Sequence, residues 1–206
     1  MNLNYDAIIF DLGGVILNID YQKTTQAFKG LGVKNFDKLY SQSQQNGTFD
    51  KLETGKMGAE EFYKTLNKET GLELKHSEIE TAWNAMLLDL PSHRIELLKK
   101  ISKEIPIFLL SNTNEIHLKA FRKMIKDSFG EEHLLESTFS KTYYSHLIQA
   151  RKPNRAAFDI IIHEQGLNPS KTLFIDDSLQ HIEGAEKIGL QTVHLVGKDI
   201  SEIFLS

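Results

Sequence analysis

Three carboxylates, one lysine and a Ser/Asn loop fall at places in this sequence where side chains can meet. "AIIFDLGGVILNID" (7–20) ends an apolar run on Asp11 and follows it with Gly13 and Gly14. "IFLL" (107–110) delivers Ser111, Asn112, Thr113 and Asn114, and "TLFI" (172–175) delivers Asp176 and Asp177. Lys152 precedes Pro153, a residue suited to the first position of a following helix. This mixture suits a phosphate and a divalent cation. Clustered carboxylates hold Mg²⁺ through hard oxygen ligands, and two glycines let the backbone approach a ligand closely. Ser111, with free amides at the start of the next helix, can donate to phosphoryl oxygens. Lys152 can neutralise charge on a nucleophile and on a transferring phosphoryl group. A carboxylate can itself act as the nucleophile. Taken singly, each element has a plainer reading as a turn, a helix cap or a surface lysine. Their joint occurrence, in order and at run ends, carries the argument.

The elements that must position them are short. The runs at 7–10, 107–110, 172–175 and 192–196 are too brief for helices and alternate with helical patterns, which predicts βα units around a parallel sheet. Ligands of such sheets bind beyond the carboxyl ends of the strands. "NRAAFDIIIHEQG" and "SLQHIEGAEKIG" read as helices stopping near Gly166 and Gly189. Residues 18–90 contain no convincing strand. "MGAEEFYKTLNKETG" reads as a helix stopped by Gly71, and "SEIETAWNAMLLDL" as one opened by a Ser77–Glu80 capping box. The latter carries Ile79, Trp83, Met86, Leu87 and Leu90 in a stripe. A ~70-residue connection far exceeds an ordinary βα loop. The expected organisation is a doubly wound α/β core at 1–17 and 91–206, with a small helical cap at 18–90 inserted after the first strand. "SQSQQNGTF" (41–49) reads as a polar loop or cap hinge.

The chain has 206 residues, 24 basic and 28 acidic side chains, and a formal charge of −4. No basic run points to nucleic acid. With no Cys, disulfides and thiolate chemistry are excluded. "MNLNYD" lacks the basic and apolar regions of a signal peptide, and no stretch reaches the ~18 apolar residues of a membrane span. The expectation is a soluble cytoplasmic protein, monomer or homodimer, whose partner is a small phosphorylated metabolite.

"IIFDLGGV", "FLLSNTN", "ARKPNRAAF" and "LFIDDSLQHIEGA" together resemble the four motifs of the haloacid dehalogenase-like hydrolase superfamily, over nearly the whole chain. "FDLGGV", "SNTNEIH" and "RKP" are most similar to a bacterial branch of sugar-phosphate phosphatases that includes α-D-glucose-1-phosphate phosphatases. The resemblance implies a Rossmann-like core with a helical cap and a Mg²⁺-dependent phosphomonoesterase working through an aspartyl-phosphate. It implies Asp11 as nucleophile, and Mg²⁺ held by Asp11, the Gly13 carbonyl and Asp176. Asp177 would hold metal-bound water or orient Lys152. Ser111, the Asn112 amide and Lys152 would grip the phosphoryl group.

Two positions depart from the superfamily pattern. Its phosphatases usually carry an acid–base Asp two residues after the nucleophile, and Gly13 stands there. That assistance is typically worth ~10²–10⁴-fold, so a reactive leaving group, a water, Asp20 or a cap side chain must substitute. His181 replaces the usual Asn of the fourth motif, which implies an altered hydrogen bond facing the helix. His117 is expected on a helix surface, with reach into the cleft as the other reading, and Trp83 in the cap core. Glu53, beside Gly55, is the expected place of substrate selection, in a cap loop. Two other readings stand beside the phosphatase: a metal-independent 2-haloacid dehalogenase using Asp11, and a non-catalytic phospholigand-binding protein.

Overall fold

The computed structural model describes residues 4–34, 36–40 and 47–204. Five parallel strands form one sheet: β1 (Ala7–Phe10), β2 (Ile107–Ser111), β3 (Lys141–Tyr144), β4 (Thr172–Asp176) and β5 (Gln191–His194), in the order β3-β2-β1-β4-β5. The chain moves outward from β1 through β2 to β3 and then returns to β4 on the other side. A topological switch therefore lies at β1, where such sheets open a crevice for ligands.

Strand alternation gives the sheet two faces. Ile8 and Phe10 face a cluster with Leu109, Ile175, Leu98 and Phe121, while Ala7 and Ile9 face Phe108, Phe174, Phe158 and Ile182. Phe158 meets Phe174 edge-on, with ring centroids 5.3 Å apart. Apolar side chains on both faces explain why β1, β2 and β4 read as continuous apolar runs. β3 escaped the sequence reading. It is an edge strand, "KTYY", exposed at Lys141 and buried only at Tyr143 and Tyr144. β5 ends at His194, short of the expected 196.

Between β1 and β2 the described elements are helical. The helices Tyr21–Gly30, Thr48–Glu53, Ala59–Thr70 and His76–Asn84 close over an aromatic cluster of their own. Phe28 stacks on Phe36 at 4.3 Å, and Phe49 touches Phe36, Phe62 and Trp83. Ile116, from the helix after β2, joins this cluster. Gly71 ends its helix with φ +70°, as its position predicts. The Ser77–Glu80 box is not used. That helix begins at His76, and the Glu78 carboxylate accepts the Lys75 amide at 2.8 Å. Helix Arg155–Gln165 likewise starts two residues after Pro153, behind Asn154. The polar stretch 41–46 lies outside the described residues. Among the described residues no helix is long and apolar enough to cross a membrane.

Candidate active site

Register brings the motifs together. Phe10 pairs with Ile175 and with Leu109, so Asp11 lies level with Asp176, and Ser111 emerges one residue beyond the same level. The Asp11 amide donates to the Ile175 carbonyl at 2.9 Å, fixing the strand end. Asp11, Asp176 and Asp177 bring one carboxylate oxygen each within 4.8 Å of one another. Lys152 enters this group from the segment after β3. Its Nζ donates to Asp11 Oδ1 at 2.6 Å and to Asp176 Oδ2 at 2.7 Å, wholly buried.

Two side-chain bonds lock Lys152 in place. Asn112 Nδ2 donates to the Lys152 carbonyl, and the Lys152 amide donates to Asn112 Oδ1, both at 2.9 Å. The Asn112 side chain therefore clamps the β2 loop to the lysine segment, leaving only its backbone amide for a phosphate. The next amides are also taken. Ser145 Oγ accepts from the Thr113 amide, and Asn114 Oδ1 accepts from Ile116 and His117. The expectation of free amides at this helix start is corrected for these three: the Asn114 cap takes two and Ser145 the third.

Charge is unevenly shared. Burial pushes the Asp11 carboxyl up to about 8, against the pull of Lys152 and with Asp176 and Asp177 adding to the push. Burial also works upward on Asp176, but Lys152 and the His181 hydrogen bond outweigh it and hold it at about 2. Burial and then Asp176 lift Asp177 to about 6. Burial works against the Lys152 ammonium, yet Asp11 and Asp176 raise it above its ordinary range. Three carboxylates and one ammonium leave a formal −2 that a divalent cation would neutralise, keeping Asp11 ionised. The donors are all hard oxygens, which suits Mg²⁺.

The glycine turn fits the same picture. Gly14 has φ +77°, and a Cβ there would stand 2.2 Å from Asp177 Oδ2. Its amide bonds the Leu17 carbonyl, and the Leu12 carbonyl accepts from Ile16 and Leu17. Neither arrangement uses the Gly13 carbonyl. A Cβ on Gly13 would meet Ile19 Cδ1 at 3.0 Å, so an aliphatic side chain covers the missing acid's position. Asp20 caps helix Tyr21–Gly30 by accepting the Gln22 amide at 2.9 Å.

A cavity of about 60 Å³ adjoins these residues, lined by Tyr21, Glu53, Asn112, His117, Arg151 and His181 among others. Glu53 lies at the end of a helix rather than in a loop and is buried against Arg151, Oε2 to Nε 3.1 Å. Arg151 also reaches Asp50 at 3.5 Å. Arg151 had no assigned part in the sequence reading, and its signal was its place directly before Lys152. His117 is buried rather than on the surface. Its Nδ1 is 2.8 Å from Asn84 Oδ1, and its ring stacks on Trp83 at 4.6 Å. Burial drops the His117 imidazole to about 3. His181 Nδ1 approaches both Asp176 oxygens, at 3.0 and 3.1 Å.

Comparison with known proteins identifies the family. The family model for haloacid dehalogenase-like hydrolases matches residues 5–189. A D-ribitol-5-phosphate phosphatase from Bacteroides thetaiotaomicron is 34% identical over 185 residues, covering 90% of this chain and 89% of that protein. A HAD-family enzyme from the same organism, solved as a single-residue variant with magnesium and inorganic phosphate, superposes with a TM-score of 0.90. It is 30% identical, over 98% of this chain and 100% of that one. A predicted HAD-like hydrolase from Porphyromonas gingivalis superposes with a TM-score of 0.87 at 28% identity, over 98% and 99% of the two chains.

Proposed function

The chain belongs to the haloacid dehalogenase-like hydrolase family, and from that premise we propose a magnesium-dependent phosphomonoesterase acting on a small sugar or polyol phosphate. The observation that carries this reading is the buried Lys152 bridging Asp11 and Asp176, with Asp177 beside them. The acidic pair Asp176–Asp177, clustered with Asp11 as ligands for a cation, favours this reading over a metal-free dehalogenase. The similarity to a D-ribitol-5-phosphate phosphatase supports the substrate class.

In this reading Asp11 attacks phosphorus, forming an aspartyl-phosphate as the ester P–O bond breaks, and the leaving alkoxide takes its proton from water. Water then attacks the same phosphorus, releasing inorganic phosphate and regenerating the carboxylate. Lys152 stabilises the ionised nucleophile and the charge of the transferring group. Ser111 and the Asn112 amide orient the phosphoryl oxygens. Asp11, the Gly13 carbonyl and Asp176 would hold Mg²⁺, with Asp177 holding its water or orienting Lys152. When bound, the ion would supply charge neutralisation for phosphoryl transfer. Residues 18–90 serve as the cap that excludes bulk water. Asp20 acts as a helix cap in this reading. The setting proposed is cytoplasmic, with the protein a monomer or homodimer.

The test is phosphate release from a panel of phosphate esters, with Mg²⁺ and with EDTA, for wild type and Asp11→Asn. Metal-dependent turnover lost in the variant is expected. Halide release surviving EDTA would instead identify a dehalogenase, and binding without turnover a phospholigand-binding protein.

A further inference from the structure

His181 is 6% exposed, and its Nδ1 is committed to Asp176. Its other ring nitrogen, Nε2, is buried with no hydrogen-bond partner, although the ring lines the cavity beside the phosphoryl site. A buried polar atom left this way carries an uncompensated desolvation cost, so an occupant of the cavity that meets it gains by doing so. Several polar side chains share the cavity with it. Arg151 and Glu53 face each other as a buried ion pair, and His117 has Nδ1 engaged by Asn84, leaving its second nitrogen. Asn112 is already doubly bonded to the Lys152 backbone and has little to offer a ligand.

We propose that His181 Nε2, with the Arg151–Glu53 pair, binds the hydroxyls of a neutral polyhydroxylated leaving group, and that His181 reads the hydroxyl on the carbon next to the phosphate ester. The inference rests on the phosphatase reading and narrows it. A hydroxyl can accept or donate and so satisfies the imidazole nitrogen. A carboxylate-bearing leaving group meets Glu53, while the Arg151 charge is already shared between Glu53 and Asp50, and is disfavoured.

Three-carbon probes of matched size test this. They are glycerol phosphate with a terminal ester, the propanediol monophosphate lacking only the central hydroxyl, and glycerate phosphate. Wild type should favour glycerol phosphate over the deoxy ester about tenfold in kcat/KM, a neutral hydrogen bond's worth. His181→Phe should shrink that ratio to about twofold or less, whatever its overall rate. If His181 only steadies Asp176, both esters lose rate together and the ratio persists, which overturns the proposal. Glu53→Gln should narrow the discrimination against glycerate phosphate about fivefold. This arm reads the cavity away from Asp176, so a poorly folded His181 variant leaves the test intact. Unchanged discrimination there counts against the charge argument. Failure of wild type to release phosphate from any ester, aryl phosphates included, overturns the phosphatase reading and this subsite with it.

Discussion

Lys152 Nζ lies 2.6 Å from Asp11 Oδ1 with no solvent contact, so the nucleophile candidate and its counter-charge form one buried unit. Removing the ammonium leaves Asp11 and Asp176 facing each other uncompensated. Lys152→Met should lower kcat by ~10²–10³-fold. It should also cost about 3–5 kcal/mol of stability in EDTA, as breaking buried pairs does. Magnesium should restore part of that stability and none of the rate. Thermal melts with and without the ion, beside steady-state rates, check both halves.

Two glycines with the same backbone sign should behave oppositely. Gly14→Ala puts a methyl against Asp177 Oδ2 at φ +77°, whereas Gly71, at φ +70°, has open space around it. Both alanines carry the left-handed cost of roughly 1 kcal/mol. Only Gly14→Ala should raise the magnesium concentration for half-maximal activity, by tenfold or more. Equal metal titrations for the two variants would show that the Gly14–Asp177 contact does not shape the metal site.

His117 sets an acid limb of stability. Its folded value is about 3 and its unfolded value about 6.5. Between these the unfolded chain binds the extra proton, so stability is full above about pH 6.5 and falls as pH drops toward 3. The total is on the order of a few kcal/mol. His117→Phe keeps a ring on Trp83 and should flatten this slope while lowering stability at neutral pH through loss of the Asn84 bond. Urea titrations from pH 7 to about pH 4 measure it, and an unaltered slope would mean another group is responsible.

Ile19 covers the position where the superfamily's acid–base Asp would project from residue 13. Wild type should therefore depend steeply on leaving-group acidity, cleaving aryl phosphates far faster than alkyl ones. Gly13→Asp alone should lose stability against Ile19. Combined with Ile19→Ala it should flatten the dependence and raise the alkyl-to-aryl rate ratio about 10-fold or more, a part of what general acid catalysis supplies. A ratio that stays put would place the proton donor elsewhere.

Much of this was legible in the sequence, for physical reasons. β1, β2 and β4 are buried on both faces and so read as apolar runs, and each delivers its motif residue at its carboxyl end. β3 was illegible because an edge strand needs no continuous apolar run. Asp11, Asp176, Asp177 and Lys152 could be grouped in the sequence because they occur jointly and in order, although each alone reads as a turn, a cap or a surface lysine. His117 was misplaced because a histidine's burial depends on a partner far away in sequence, here Asn84 and Trp83. Arg151 and Glu53 are 98 positions apart, and no local pattern announces that they pair. The amides after Ser111 looked available, but whether Asn114 and Ser145 fill them is a matter of side-chain direction, which spacing does not encode.

The central claim is that Asp11 carries the phosphoryl group. Enzyme mixed with magnesium and an aryl phosphate, quenched in acid within one turnover and digested, should yield the peptide containing "IIFDLGGV" with the mass of one added phosphoryl group on Asp11. Asp11→Asn should yield none. Phosphate release without that label at any quench time, or the label on another residue, would contradict the account.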